Sequence, residues 1–489
     1  MLNHLKNEAN IAYTENGTVT NASTMSDCLD LFAAIGALRA ADDQKIIRRF
    51  VRAYAEDADI AMKILFFGRN VRGGLGERRV FCVIINWLAE NRTESLRKNI
   101  ELIPEFGRYD DLVSLISTAC EKDALRTIRK QLEADLASDA EVSLLAKWLP
   151  SVNASNAKTV RKAKRIARYL GMSDAEYRKT LVELRKKIRI IENHLREKDY
   201  SFDYAKQPSK AMFKYRKAFL RNDGERYNAF LEAVSSGEKQ LHADNLAPYE
   251  IVRSALNANR WGFHADLTVG EKAALNASWA SLPDFCDNRN ALAVVDTSGS
   301  MYCYDNALPA AVALSLGLYF GERNTGIFHN HFIEFSSRPQ LIEIKGKTFA
   351  ERLEYLCTFN EVADTNVEAV FDLILDAAVR NNVPQEELPE TLYLISDMEF
   401  NACVRNASVS NFASAKRRFA EHGYRLPQIV FWNVASRNSN QPVTKNEQGV
   451  ALVSGCTPRL FSMVASGDLS PYSVMMDIIE SERYAKISA

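Results

Sequence analysis

The stretch ALAVVDTSGS, residues 291–300, decides the fold of the second half of the chain. Its five leading apolar residues are too few for a buried helix and end on turn-forming residues, so they read as a strand covered on both faces. That strand delivers one carboxylate, Asp296, and two hydroxyls, Ser298 and Ser300, onto a tight turn just past its carboxyl end.

Working outward from this turn, residues 328–335, 391–395, 428–432 and 450–453 carry further short apolar runs. Residues 307–320, 349–357, 366–380, 410–421 and 471–482 have the apolar spacing of amphipathic helices. Strands alternating with helices predict a doubly wound α/β domain with a mostly parallel sheet and helices on both faces, placing any ligand site at the carboxyl ends of the central strands. Asp397 ends the buried run TLYLIS, and Thr365 lies in the loop VADTN that opens the amphipathic helix at 366–380, so both are expected at that same edge. Asp296, Ser298, Ser300, Thr365 and Asp397 together offer hard oxygen donors. Such a set suits one divalent cation, Mg²⁺ or Mn²⁺, where thiolates or imidazoles would suit zinc.

Upstream, from residue 26 to about 256, the apolar spacing is helical almost throughout, as in Leu29, Leu31, Phe32, Ile35 and Leu38 or in Val80, Phe81, Val83, Ile84 and Leu88. Short turns such as RGGLGER (72–78) and FGRYDD (106–111), with Pro104 and Pro150, punctuate the helices. Helix pairs of this length predict a stacked array of the α-solenoid or HEAT-like kind, although no strict repeat period is visible. The glycines of RGGLGER lack the Lys-Ser or Lys-Thr and the preceding strand that a phosphate loop needs, and are better read as a helix end followed by a helix start. The expected organisation is a lead segment 1–25, a helical domain 26–285 and an α/β domain 286–489.

The 489 residues carry 62 Lys+Arg and 62 Asp+Glu, yet the charge is unevenly placed. Residues 151–226 hold 21 Lys/Arg against 9 Asp/Glu, an excess of +12, whereas residues 291–400 hold 6 against 17, or −11. Within the basic segment Lys158, Arg161, Lys162, Lys164, Arg165 and Arg168 precede a second cluster that includes Lys186 and Arg189. The spacing of Arg161, Lys164, Arg165 and Arg168 makes one charged helical stripe. Tyr169, Tyr177, Tyr200, Phe202 and Tyr204 are interleaved, either as core residues or as platforms for unpaired bases. These features predict a site for a polyanion.

Eight cysteines occur singly, with no CxxC pair, and read as buried, reduced thiols. His329 and His331, two apart in FHNHFIEF, read as same-face strand residues rather than metal ligands. The opening MLNHLKNEANIAYTENG has no apolar run of signal-peptide type, and residues 307–320 are too short and interrupted to cross a bilayer, so a cytoplasmic protein without membrane association is expected. No catalytic residue is predicted. Ser298 stands where an aspartic protease needs glycine after Asp-Thr, and a G-x-S-x-G elbow fails because Asp296 or Ser298 occupies its first glycine.

The sequence D-T-S-G-S with Thr365 and Asp397 resembles the von Willebrand factor A superfamily and its metal-ion-dependent adhesion site. That resemblance implies that Ser298 and Ser300 bind the metal directly, Thr365 directly or through water, and Asp296 and Asp397 largely through water, with one position open for an acidic group of a protein partner. Asp364, where that family often has glycine, and Glu399, two residues past Asp397, depart from the pattern by gathering extra negative charge. A helical array followed by such a domain resembles the TROVE-module ribonucleoproteins of the Ro type, which implies binding of structured or single-stranded-ended RNA. The segments RGGLGER, FGRYDDL, LLAKWLPS, YRKTLVELRKKI, SDMEF and GVALVSGCTPRLF resemble more closely, over nearly the whole chain, an uncharacterised two-domain family recorded as a domain of unknown function. The expectation drawn from all this is a non-enzymatic RNA-binding scaffold with a divalent-metal site. The alternative is a metal-dependent protein-protein interaction module that binds no RNA.

Overall fold

A computed structural model describes residues 1–139, 142–188, 190–259, 262–286, 290–303, 305–335, 338–358, 366–400, 411–464 and 469–489. Its strands are β1 (Ile11–Tyr13), β2 (Val19–Asn21), β3 (Leu256–Asn259), β4 (Gly262–Ala265), β5 (Ala291–Asp296), β6 (His331–Phe335), β7 (Gln340–Glu343), β8 (Thr391–Ser396), β9 (Gln428–Asn433) and β10 (Val450–Ser454). The chain forms two units. The first comprises Met1–Asp42 with Pro208–Ser481, the second Asp43–Gln207 with Glu482–Ala489. This grouping does not follow the divisions at 25/26 and 285/286 drawn from the sequence pattern, because helices at both ends of the expected helical domain bury their apolar faces in the first unit.

The first unit is built on a six-stranded sheet of order β10-β9-β8-β5-β6-β7. All neighbours are parallel except β7, which runs antiparallel to β6. Every residue of β5, β8 and β10 is buried, as continuous apolar strands covered on both faces must be. One face packs Leu292, Val294, Leu392, Leu394, Ile429 and Phe431 against Val370, Phe371, Phe412 and Phe419 of the helices Val367–Asn381 and Asn411–Glu421. On the other face the helix Leu308–Arg323 approaches β5 closely at Gly317, where a Cβ would lie 2.4 Å from the Val295 side chain. Chain order runs from β5 to β6 on one side and to β8 on the other, so the strand order reverses between β5 and β8. The crevice at their carboxyl ends is the topological switch point at which such sheets bind ligands.

Strand β7 was not anticipated, since three of its four residues are exposed and it lacks a buried run. His329 lies in a turn ahead of β6 rather than in the strand with His331, and His331 Nδ1 is 2.8 Å from the His329 carbonyl. The helix Asp27–Ile35, expected to open the helical array, instead packs beside β10. Gly36 follows it so closely that a Cβ would sit 2.3 Å from the Ser454 carbonyl oxygen, and its N–H donates to Ser454 Oγ at 3.0 Å.

The second unit is helical among its described residues, from Asp43–Glu56 through Ile191–Glu197, with the short helix Glu482–Tyr484 returning to it. RGGLGER joins the helices Ala58–Arg69 and Arg78–Asn91. Asn70 Oδ1 accepts the amides of Arg72 and Gly73 at 3.1 and 3.2 Å, so these backbone donors already have a partner. FGRYDDL supplies Asp111, wholly buried, which binds buried Arg69 at 2.7 Å and Arg78 at 2.9 Å and accepts the Arg108 amide at 3.0 Å. Gly107 leaves room for this pair, since a Cβ there would meet Asp111 Oδ2 at 2.4 Å.

The seven described cysteines are in no disulfide, with Cys28, Cys120 and Cys456 buried and Cys303 exposed, so the expectation of uniform burial fails. Cys403 lies outside the described residues. Among the described residues no helix is long and apolar enough to cross a membrane. Removing one member of the buried Arg69–Asp111 pair leaves the other charge uncompensated. Asp111→Ala is expected to destabilise the second unit by about 3–5 kcal/mol, as measured by denaturant unfolding, with a negligible loss contradicting the assigned role.

Candidate functional site

The switch point brings the first two predicted segments together. Asp296 ends β5 and is fully buried; its Oδ1 accepts the Ser298 amide at 2.8 Å and its Oδ2 accepts Ser396 Oγ from β8 at 2.5 Å. Ser396 Oγ in turn accepts the Met398 amide at 3.0 Å, so one hydroxyl ties the two strand ends and shapes the turn beyond β8. Ser298 Oγ is 3.1 Å from Ser300 Oγ, and Ser300 Oγ donates to Asp397 Oδ2 at 2.8 Å. A chain of oxygens therefore runs from Ser298 through Ser300 to Asp397. Thr297, between Asp296 and Ser298, is buried, and its Oγ1 has no hydrogen-bond partner among the described residues.

The predicted Thr365 lies outside the described residues, as does Asp364. The next residue, Asn366, caps the helix Val367–Asn381 by accepting the Ala369 amide at 2.9 Å. Glu399, the extra acid of the sequence pattern, is buried; its amide donates to Asp397 Oδ1 at 3.2 Å. Burial raises the Glu399 carboxyl above its ordinary range, and burial together with the Asp397 carboxylate does the same, strongly, to Asp296.

Two contributors were missed by the sequence reading. Arg437, beyond β9, donates Nε to Asp397 Oδ2 at 3.0 Å, places Nη2 3.0 Å from the same oxygen, and places Nη1 2.8 Å from Glu15 Oε2. Glu15 belongs to the β1–β2 hairpin. Thr14 and Thr18 hydroxyls both donate to the Phe400 carbonyl, at 2.7 and 2.9 Å, and the Glu15 amide donates to Glu399 Oε2 at 2.9 Å. What had been assigned to a lead segment is thus a wall of the site. Its sequence signal is Asn16-Gly17 between the short apolar runs, the residue pair that favours tight hairpin turns, and Gly17 indeed has φ of 83°.

The hydroxyl and carboxylate oxygens of Ser298, Ser300 and Asp397, with Asp296 behind them, could hold a small oxygen-preferring cation, largely through water. Their chemistry fits such an ion. Among the described residues no group of three or more His, Cys, Asp or Glu side chains is placed to hold a metal.

The predicted RNA-contact residues lie in the second unit. Asn156 and Gly171 bound the helix Ala157–Leu170, and Ser173 and Glu176 form a capping box on Asp174–Lys187. Lys158, Arg161, Lys164, Arg165, Arg168 and Lys186 are exposed. Arg165 pairs with Glu121 at 2.7 Å and Lys164 with Asp174 at 3.2 Å, whereas Arg161, Arg168 and Lys186 form no ion pair among the described residues. Lys162 is half-buried, with Nζ donating to the Val113 carbonyl at 2.8 Å, and desolvation lowers its pKa. Arg189 lies outside the described residues. Four of the five interleaved aromatics are not open for stacking, and Tyr200 is half-buried. Tyr177, Phe202 and Tyr204 are buried, and Tyr169 is covered by the Arg129 guanidinium 4.4 Å from its ring centre.

The family model described as "Domain of unknown function (DUF2828)" matches residues 14–135 and 122–288, more than half of the chain. The chain belongs to the DUF2828 family. A second model, "Domain of unknown function (DUF7788)", matches residues 290–474, beginning one residue before β5. The chain is also similar to an uncharacterized protein, L728, of Acanthamoeba polyphaga mimivirus, being 27% identical over 513 residues that span 96% of this chain and 88% of that protein. The DUF2828 match begins at residue 14 and takes in Glu15 and β2, and the DUF7788 match takes in the strand ends, so the oxygen chain and its wall come from both matched regions.

Asp296 in this DUF2828 chain gives a pH signature. Its folded pKa is raised, so the folded protein binds a proton that the unfolded chain releases, and the associated stability is full below about pH 4 and declines as pH rises toward neutrality. In chelator-treated protein, Asp296→Asn is expected to flatten that decline, with the melting temperatures of variant and wild type diverging between about pH 4 and 7. Parallel pH profiles would contradict the burial of an ionisable group there.

Proposed function

We propose that the protein is a non-enzymatic binding scaffold whose α/β unit holds one divalent cation, Mg²⁺ or Mn²⁺, in a von Willebrand factor A-like site. The observation that carries this reading is the convergence of Ser298, Ser300 and Asp397 in front of buried Asp296 at the sheet's switch point. Ser298 and Ser300 would bind the ion directly and Asp296 and Asp397 mainly through water, with Thr365 as a further donor. One coordination position would stay open for an acidic group of a protein partner. The reading gives no hydrolytic role to this site: the carboxylate that accepts from Ser300 Oγ, Asp397, is itself held by the Arg437 guanidinium and the Glu399 amide, which suits it to binding more than to taking a proton from a nucleophile.

A second component is favoured by a separate observation, the exposed cations of the helix Ala157–Leu170. In this reading the helical unit is a solenoid-like array of TROVE type that binds RNA through its phosphates, in the cytoplasm and without a membrane. Arg161 and Arg168 carry most of that role, because Lys164 and Arg165 already share their charge with acidic neighbours and Lys162 is held by a backbone carbonyl. With Tyr177, Phe202 and Tyr204 buried and Tyr169 covered by Arg129, contact in this reading rests on charge more than on base stacking.

Calorimetric titration with Mn²⁺ tests the first component. Wild type is expected to take up one ion, and Ser298→Ala/Ser300→Ala to lose at least tenfold in affinity, roughly the 1.4 kcal/mol that two lost ligands must exceed. Equal uptake by both would refute the site. For RNA, the slope of log affinity against log salt should flatten by roughly 0.7–0.9 for each phosphate-contacting cation removed, hence by about 1.5 units in Arg161→Gln/Arg168→Gln, while Lys162→Met changes it little. An unaltered slope, or no RNA binding by wild type, leaves the metal-dependent protein-binding module as the function.

A further inference from the structure

We infer that Arg437 sets the affinity of the cation site by acting as a built-in counter-charge at Asp397, with the β1–β2 hairpin holding it there through Glu15. This inference rests on the metal reading above. Three segments far apart in sequence meet at one guanidinium: Glu15 between β1 and β2, Asp397 after β8, and Arg437 after β9. Both Nε and Nη2 of Arg437 lie 3.0 Å from Asp397 Oδ2, and Nη1 lies 2.8 Å from Glu15 Oε2. The Asp397 side chain is 1% exposed and that of Arg437 20%, so water screens this pair far less than a surface one.

The geometry restricts what Asp397 can offer. Oδ2 accepts from Ser300 as well as from Arg437, and Oδ1 accepts the Glu399 amide, so both carboxylate oxygens are engaged. A cation settling against Ser298 and Ser300 meets a carboxylate whose charge is already shared and a guanidinium that repels it. Asp397 is thereby held to contact through water. Burial of Asp296, Asp397 and Glu399 in one place would otherwise favour tight capture of a divalent ion. Glu15 draws off part of the Arg437 charge, and is itself fixed by its backbone N–H, which donates to Glu399 Oε2 at 2.9 Å, and by Asn438 Nδ2, which donates to its Oε1 at 3.0 Å. An arginine that merely pinned the hairpin would leave cation affinity alone.

Mn²⁺ titrated calorimetrically into the chelator-treated full chain distinguishes these roles, with circular dichroism confirming that each variant is folded. R437Q is expected to bind Mn²⁺ roughly tenfold more tightly than wild type, since a like charge beside the ion is removed. R437K, which keeps the charge, should stay within about threefold of wild type, and E15Q, which leaves Arg437 less neutralised, should bind about threefold more weakly. Glu15 is 47% exposed, so E15Q carries the test if the substitution at 437 disturbs folding. Unchanged or weaker binding by R437Q, or tighter binding by E15Q, overturns the inference while leaving the metal site in place. Uptake by neither wild type nor R437Q removes the metal reading itself and the inference with it.

Discussion

The first unit turns on a buried carboxylate with no cationic partner among the described residues. Asp296 sits at the end of β5, wholly out of water, held by the Ser396 hydroxyl and the Ser298 amide. Two hydrogen bonds do not offset the cost of burying a full negative charge, so the group must take up a proton or have positive charge brought near it. Either choice keeps the β5 and β8 ends tied, because Ser396 spans them in both cases. The crevice that the strand order creates between β5 and β8 therefore has a defined floor and a standing demand for positive charge.

The elements around that floor are arranged by the same demand. Ser300 and Arg437 converge on Asp397, and the hairpin supplies Glu15 on the far side of the guanidinium. Negative groups outnumber Arg437, and two of them, Asp296 and Glu399, have raised pKa values because of their surroundings. If this site holds the proposed cation, its groups are already tied to one another by hydrogen bonds and the Arg437 pair, unlike a zinc knuckle whose fold depends on its metal. In the second unit the buried charge problem is solved differently: Asp111 receives two arginines, and Gly107 leaves room for Asp111 and Arg69 to meet.

How much of this was legible in the sequence follows from the range of each interaction. Runs such as ALAVV and TLYLIS are buried whatever their neighbours, so β5, β8, β9 and β10 could be read directly, and with them the meeting of Asp296, Ser298, Ser300 and Asp397. Strand β7 offers only Ile342 to the interior, and its pairing with β6 is what makes it a strand. Arg437 has no local signature, since its role is defined by Glu15 and Asp397, both distant along the chain. The helix Asp27–Ile35 was recognised as a helix but given the wrong neighbours, because an apolar stripe does not say which surface will cover it. Tyr177, Phe202 and Tyr204 looked equally suited to core or surface until burial decided for the core.

The order of segments has a kinetic consequence. Gly36 and Ser454 touch across 418 residues, and Thr14 reaches Phe400 across 386. During synthesis the hairpin and the helix Asp27–Ile35 leave the ribosome long before the strands they cover exist, while nearly all of the second unit, residues 43–207, emerges in between. Contacts of such long range form late and slowly, because the loop must close before burial rewards it. Residues 1–42 thus spend most of translation with apolar positions such as Leu29, Phe32 and Ile35 uncovered by the strands they finally meet, a surface open to aggregation on the nascent chain and closed in the finished protein.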